Sequence, residues 1–583
     1  MPISCKKSKY MKNLIFAGTF VYLTAGVLAA DTNGVMSIRL GSGETSLEQY
    51  KEYGYNAIMM GDLTQLASYD ELAPGAIADN SQLRRNIDKY RRDFVKKVAQ
   101  AQKMGLDACV VTDEIQFPIP VYDRFKYQIL KSNNPKKMDI NFDSQEFWDL
   151  YLAKYREVLK AYPQIKYVMV RTGENYSHPE KGYVGRTVID HRIDDAYYRN
   201  MQRLIEETRK VVVDEFGRTL IWRTWDLGDN GFHASPAVYD RVLAGVPDRR
   251  GLIMAVKITK TDFWHYNYFN PNIGRGDVDQ IIEFECDREY EGKGAFPDYV
   301  GVAYAEGMKL VRDRGVKGVW IWDFGGGWGG PFLKDDMWVR LNIYATTRLA
   351  QNPELSPRNL AGQWAAQEFG TNAAPKVTDM LMLSDDCITK LFYIAPYSRE
   401  HPWSPSRNLL RDDIIHGEAS IGSNGGLKDV LYEGSKSSLQ EALDEKTQAV
   451  ALAQQMRSIF ESQKDDIVAE RGEKVYDDGL SSLIYLEDLA EVVSHYVRGM
   501  FLFYHWQDTG DTTAANQANQ ELLAWRDAWK TYQTEVPKLP GAASIYRSLN
   551  TQEPDSTQGA MTDTCEKALQ ALAARPQPAQ TAK

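Results

Sequence analysis

The sequence predicts a (β/α)8 barrel followed by a mainly α-helical domain. Between Gly34 and Gly330, eight short apolar runs alternate with helical stretches, the pattern that closes a parallel sheet. Acidic residues recur where those runs end, the side on which this fold builds its sites. An open doubly wound sheet would carry a glycine-rich phosphate turn after its first strand. Here that strand ends in Arg39, Leu40 and Gly41 with no such fingerprint.

In chain order the predicted strands are VMSIRL near Met36, NAIMMGDL near Ile58, LDACVVTDE from Leu106 and IKYVMVRTGEN from Ile165. The remaining four are TLIWRTWD from Thr219, LIMAVKIT from Leu252, QIIEFEC from Gln280 and GVWIWDF from Gly318. Apolar residues at three and four spacing predict intervening helices over Leu83 to Met104, Gln145 to Ala161, Asp194 to Phe216 and Tyr299 to Arg314. Beyond the glycine run at Gly325 to Gly330, the same periodicity predicts helices over Asp336 to Ala350, Ser356 to Phe369, Ser438 to Ser462 and Ser481 to Tyr504. The barrel is therefore assigned to residues 31–334 and the helical domain to 335–550. Residues 551–583, rich in Gln, Ala, Pro and Thr, are expected to form a disordered tail.

Residues 1–30 read as an export signal. Lys6, Lys7, Lys9 and Lys12 precede an apolar stretch from Leu14 to Leu28, and Ala29 and Ala30 follow. The expected location is periplasmic or extracellular, with no stable membrane insertion after cleavage. Removing four lysines takes the net charge of −10 to −14. Such a surface does not attract nucleic acid or anionic lipid. Cys109, Cys286, Cys387 and Cys565 are too scattered for a disulfide framework or a zinc site.

Asp113, Glu114, Glu174, Asp226, Asp262 and Asp323 stand at or just after strand ends, and the seventh strand brings Glu283, Glu285 and Glu289. Hydrolysing a glycosidic bond needs a protonated acid on one side of the sugar and a carboxylate on the other. Aromatics interleave with these acids, and the loop residues Trp264 and Trp328 are candidates to stack on the apolar faces of sugar rings. The eight histidines form no ligand pair, so no metal and no organic cofactor is expected. His265 is read as a surface residue or a substrate contact.

From Ile165 to Gly370 the chain resembles glycoside hydrolase family 67, the α-glucuronidases, through VKITKTDF, IIEFECDREYEGKG and NIYATTRLAQNPELSPRNLAGQWAAQEFG. The resemblance implies an inverting, exo-acting hydrolase with Glu174 as the acid and the pair Asp262 and Glu289 activating water. It also implies that Lys257 and Arg223 hold the sugar's carboxylate. A third basic position of the family is Val170 here, with Arg171 adjacent, and Trp328 matches an aromatic after the last strand. The implied partner is an oligosaccharide or polysaccharide bearing an acidic sugar, and a homodimer is left open. The alternatives are a hydrolase of another acidic or neutral sugar and a carbohydrate-binding protein without catalysis. The latter would have no need of Glu174, Asp262 and Glu289 together.

Overall fold

Eight parallel strands can bury both faces by closing on themselves, with helices outside and side chains filling the lumen. The computed structural model has this architecture. It describes residues 36–43, 46–132, 138–173, 175, 177–186, 193–226, 230–267, 269–288, 291–292, 294–323, 337–401, 427–539 and 557–575. The barrel strands are β1 (Ile38–Gly41), β2 (Ala57–Asp62), β3 (Asp107–Asp113), β5 (Ile165–Arg171), β7 (Thr219–Arg223), β8 (Leu252–Lys257), β9 (Asp279–Glu285) and β10 (Gly318–Trp322). β1 pairs with both β2 and β10, which closes the ring. Each predicted strand is present.

Two short strands, β4 (Ile115–Pro118) and β6 (Tyr183–Arg186), form an antiparallel ribbon from the loops after β3 and β5. The sequence reading missed it, because β4 starts two residues after β3 with no turn residue to mark it.

The outer helices include α1 (Leu47–Tyr53), α2 (Leu63–Leu66), α3 (Gln82–Lys103), α4 (Ile119–Ile129) and α7 (Pro236–Ala244), and most are capped by the side chain of the residue before their first turn. Helix α5 (Gln145–Ala161) starts at Ser144, whose Oγ accepts from Phe147 N at 3.2 Å. Its buried stripe of Phe147, Tyr151, Tyr155 and Val158 packs on the barrel. Helix α6 (Asp195–Arg209) continues through a π-helical turn over Lys210–Glu215. Helix α8 (Gly301–Asp313) precedes β10.

Helix α9 (Met337–Gln351) joins the barrel to the helical domain and is buried along nearly its whole length. Next come α10 (Pro357–Phe369), capped by Ser356, and α11 (Ala374–Phe392). The longest helix, Glu473–Thr509, exceeds the predicted segment at both ends and packs along Thr512–Glu535.

One expectation is corrected. Thr557–Ala573, assigned to a disordered tail, is a helix. Met561, Cys565, Leu569 and Leu572 are buried along one side, and Arg526 forms a bidentate pair with Glu566 at 2.6 and 2.9 Å. Low overall apolar content misled the composition argument, since a single stripe of one residue per turn suffices to dock a helix. Residues 1–30, assigned to the export signal, lie outside the described residues. Among the described residues, no helix is long and apolar enough to cross a membrane.

Candidate active site at the barrel mouth

Side chains alternate along a strand, so every second residue faces the lumen. The lower lumen is filled by Ile38, Leu40, Ala57, Cys109, Tyr167, Met169, Ile221, Ile253, Ala255, Ile281 and Trp320. Further along toward the C-terminal ends, the same alternation delivers Arg171, Arg223, Lys257 and Glu283 two residues on, and Asp113 four residues beyond Cys109. An apolar barrel floor is thus capped by a charged tier at the end where (β/α)8 sites form.

Register explains how the tier is paired. Asp113 stands opposite Arg171, Arg171 opposite Arg223, and Lys257 opposite Glu283. The two neighbouring guanidinium groups turn away from each other. Arg171 Nε donates to Asp113 Oδ1 at 2.9 Å. Arg223 instead meets Glu283 in a two-pronged pair of 2.8 and 2.7 Å. Its register partner on β8 is the small Ala255, which leaves room for it to reach across. The pair is buried, and the Arg223 guanidinium lies 4.9 Å from the Trp322 ring and 5.3 Å from that of Trp320.

Beneath the end of β3, the fully buried Lys154 of α5 donates to Thr112 Oγ1 at 3.0 Å and to the Asp113 carbonyl at 3.2 Å. Burial pushes its ammonium down to about 8. Asp62, at the end of β2, is raised above the usual carboxylate range by burial and then by Asp113.

The loop after β8 carries Asp262 back over the mouth. Its Oδ1 accepts from Lys257 Nζ and, at 3.1 Å, from Phe263 N. The Lys257 ammonium also sits 3.7 Å from the Trp225 ring centre and 4.6 Å from that of Phe263. His233, behind this group, is pushed down to about 3 by burial and by Lys257, so it is a neutral ring. Its Nδ1 lies 3.0 Å from Thr224 Oγ1.

The loops after β8 and β9 each contain a residue with positive φ, Tyr266 at 63° and Arg288 at 54°. Such backbone persists only where its surroundings hold it. Glu291 supplies the hold. It accepts from His265 Nδ1 at 2.8 Å, from Arg288 Nε at 2.8 Å and from the Tyr393 hydroxyl. His265 Nε2 reaches Asp385 Oδ1 on α11 at 2.8 Å. Burial opposes both charges in this chain, yet Arg288 and His265 hold Glu291 far below the usual carboxylate range. Glu291 and Asp385 in turn hold His265 well above that of a free imidazole. Asp298, buried beside them, is raised to about 8 by burial and by Glu291.

Of the sequence-derived site residues, the structure gathers Arg171, Arg223, Lys257 and Asp262 at the mouth. Glu174, Glu289 and Trp328 lie outside the described residues. The chain enters Glu174 from Thr172, whose hydroxyl donates to the Arg223 and Trp225 carbonyls at 2.8 and 3.0 Å. Three readings change. Arg223 was expected to hold a substrate carboxylate, but its fork is engaged by Glu283. Trp264 was expected to offer an open stacking face, but it is only 4% exposed and packs in the outer core. His265 is neither a free surface residue nor a substrate contact, because acids bind both ring nitrogens. Asp323 is a structural tie, accepting from the hydroxyls of Tyr50 and Tyr55. Glu283 was named only as one of three acids on its strand. Alternation from Ile281 is the signal that singles it out as inward-facing.

No family model and no curated protein matches the sequence. Among solved structures, the chain is similar to a glycoside hydrolase family 138 enzyme targeting pectin rhamnogalacturonan II. That similarity has a TM-score of 0.62 and 10% identity, over 94% of this chain and 69% of the other. A family 115 4-O-methyl-α-glucuronidase with specificity for decorated arabinogalactans aligns with a TM-score of 0.41 and 11% identity, over 86% and 62% of the two chains. A family 84 structure aligns with a TM-score of 0.41 and 10% identity, over 92% and 77%. The likeness to the family 138 enzyme shows a shared fold, which in this chain is a closed eight-stranded barrel with a helical C-terminal region.

Proposed function

We propose that the protein is an exported glycoside hydrolase, α-glucuronidase-like, that removes a uronic acid from polysaccharide-derived oligosaccharides with inversion at the anomeric carbon. The observation that carries this reading is the charged tier over an apolar barrel floor, with Asp262 held across the mouth by Lys257. Glu174, three positions after Arg171 in the sequence, is the acid that protonates the leaving oxygen. Asp262 and Glu289 position and activate water on the other face of the sugar. The ammonium of Lys257 lies against Asp262 and fixes its carboxylate over the mouth. Inversion requires about 6.5–9.5 Å between the acid and base carboxyl groups, the room water needs. The fold likeness to an enzyme that targets pectin rhamnogalacturonan II supports an acidic polysaccharide as the source of substrate.

In this reading Lys257 and Arg171 receive the sugar's carboxylate. Arg171, with its side chain 32% exposed, is the more open of the two. Arg223 acts one step behind, orienting Glu283. A second reading, a neutral-sugar hydrolase on the same barrel, is favoured by the fact that Arg171, Arg223 and Lys257 are each paired with an internal acid. A screen of uronic-acid oligosaccharides, each offered also with its carboxylate reduced to an alcohol, separates the two. The uronic-acid reading expects turnover that weakens strongly on reduction, and equal rates on both forms contradict it. Products with ultraviolet absorbance from a new double bond would show a lyase instead.

A further inference from the structure

The seam between the barrel and the helical domain holds a second cluster, built from three separate parts of the chain. His265 comes from the loop after β8, Asp298 from the segment before α8, and Asp385 from α11. One nitrogen or oxygen from each lies within 4.8 Å of the others. Asp298 is 4% exposed, yet neither of its carboxylate oxygens accepts a hydrogen bond among the described residues. Among the described residues its one ion pair is with Arg288 Nε at 3.5 Å, and that N–H is already donated to Glu291 at 2.8 Å. A buried carboxylate left this way is costly unless something else fills its lone pairs.

We propose that His265 Nε2, Asp298 and Asp385 form a binding site for one divalent transition-metal cation at this seam. Glu291 accepts from His265 Nδ1 at 2.8 Å, which fixes the tautomer and turns Nε2 toward Asp385, the carboxylate–histidine–metal arrangement of known sites. The formal charge of the occupied site also fits a divalent ion. Once the ion displaces the protons of its ligands, Glu291, Asp298 and Asp385 facing Arg288 leave two negative charges, which one divalent ion balances. An ion at about 2.0–2.2 Å from each ligand keeps them within about 4.4 Å of one another, so a small inward movement closes the site. Asp385, with its side chain 41% exposed, provides the entry path. One imidazole and two carboxylates suit zinc or manganese better than calcium, which takes six to eight oxygens. The ion joins the loop carrying Asp262 to the helical domain.

The test uses the full chain, stripped with EDTA, desalted, and titrated calorimetrically with zinc, manganese or calcium chloride. Zinc or manganese is expected to bind at one ion per chain. At a hundredfold excess over the dissociation constant it should raise the unfolding midpoint by a few degrees. Asp385→Asn and Asp298→Asn should each weaken binding at least tenfold. Asp385 is half-exposed, so its variant carries the test even if the Asp298 variant fails to fold. Absence of zinc and manganese binding overturns the proposal, as does an ion whose affinity neither substitution changes. Tighter binding of calcium than of either transition metal overturns the metal class.

Discussion

The strand-borne side of the mouth and its loop-borne side carry similar charges but are fixed by different parts of the molecule. Asp113, Arg171, Arg223 and Glu283 stand on β3, β5, β7 and β9, where barrel register alone sets their spacing. Asp262, His265, Arg288 and Glu291 stand on loops, two of them with positive φ nearby, and the helical domain holds those loops through Tyr393 and Asp385. The difference assigns the helical domain a job. It substitutes for the register that a loop lacks, and the loops it holds are those that carry both proposed bases. The two sides should therefore fail differently when cut.

The largest effect is expected on the loop side, at the chemistry. Asp262→Asn should lower turnover by about 10²–10⁴-fold, the usual worth of a general base, and should also lower the unfolding midpoint, since Lys257 is left buried without its carboxylate. Full activity in this variant would remove Asp262 from the mechanism.

On the strand side the largest effect is on stability. Arg223→Met leaves Glu283 buried without its partner, which should cost about 3–5 kcal/mol. The double change Arg223→Met with Glu283→Leu should recover much of that loss in denaturant titrations. A single variant as stable as the parent would mean the pair does not hold the tier together.

Tyr393→Phe sharpens the comparison, because it touches the loop side only through the helical domain. It removes one donor to Glu291 and one acceptor for His265 N at 2.9 Å, at a cost of about 1–3 kcal/mol. Turnover should fall about tenfold while the strand-side pair is untouched, and unchanged turnover would uncouple the helical domain from the site.

The smallest effect lies inside the helical domain. His495 sits 3.3 Å from Glu491 and 2.7 Å from Glu521, and these hydrogen bonds raise it to about 9 from 6.5. A folded-state value above the unfolded one stabilises fully below about pH 6.5, and the gain is lost as pH rises through about 9. His495→Gln should flatten the unfolding midpoint over that window, and an unchanged slope would discount the pairing.

The strand side was largely legible in the sequence and the loop side was not. Short apolar runs marked each barrel strand, and counting on by two from Ile281 or Met169 reaches Glu283 and Arg171 without coordinates. What register could not say is that Arg223 would pair with Glu283, since that depends on the small Ala255 between them. The contact of His265 with Asp385 joins residues 120 positions apart, and no local spacing announces it. Thr557–Ala573 was lost for the opposite reason, because a composition average hid a single buried stripe.

The central claim, an inverting hydrolase at the barrel mouth, is tested most directly by following the first-formed sugar by proton magnetic resonance during digestion of a uronic-acid oligosaccharide. The account predicts a product whose anomeric configuration is opposite to that of the bond cleaved, formed by the parent protein and lost in Asp262→Asn. A first product of retained configuration, or inversion that persists at full rate in that variant, contradicts it.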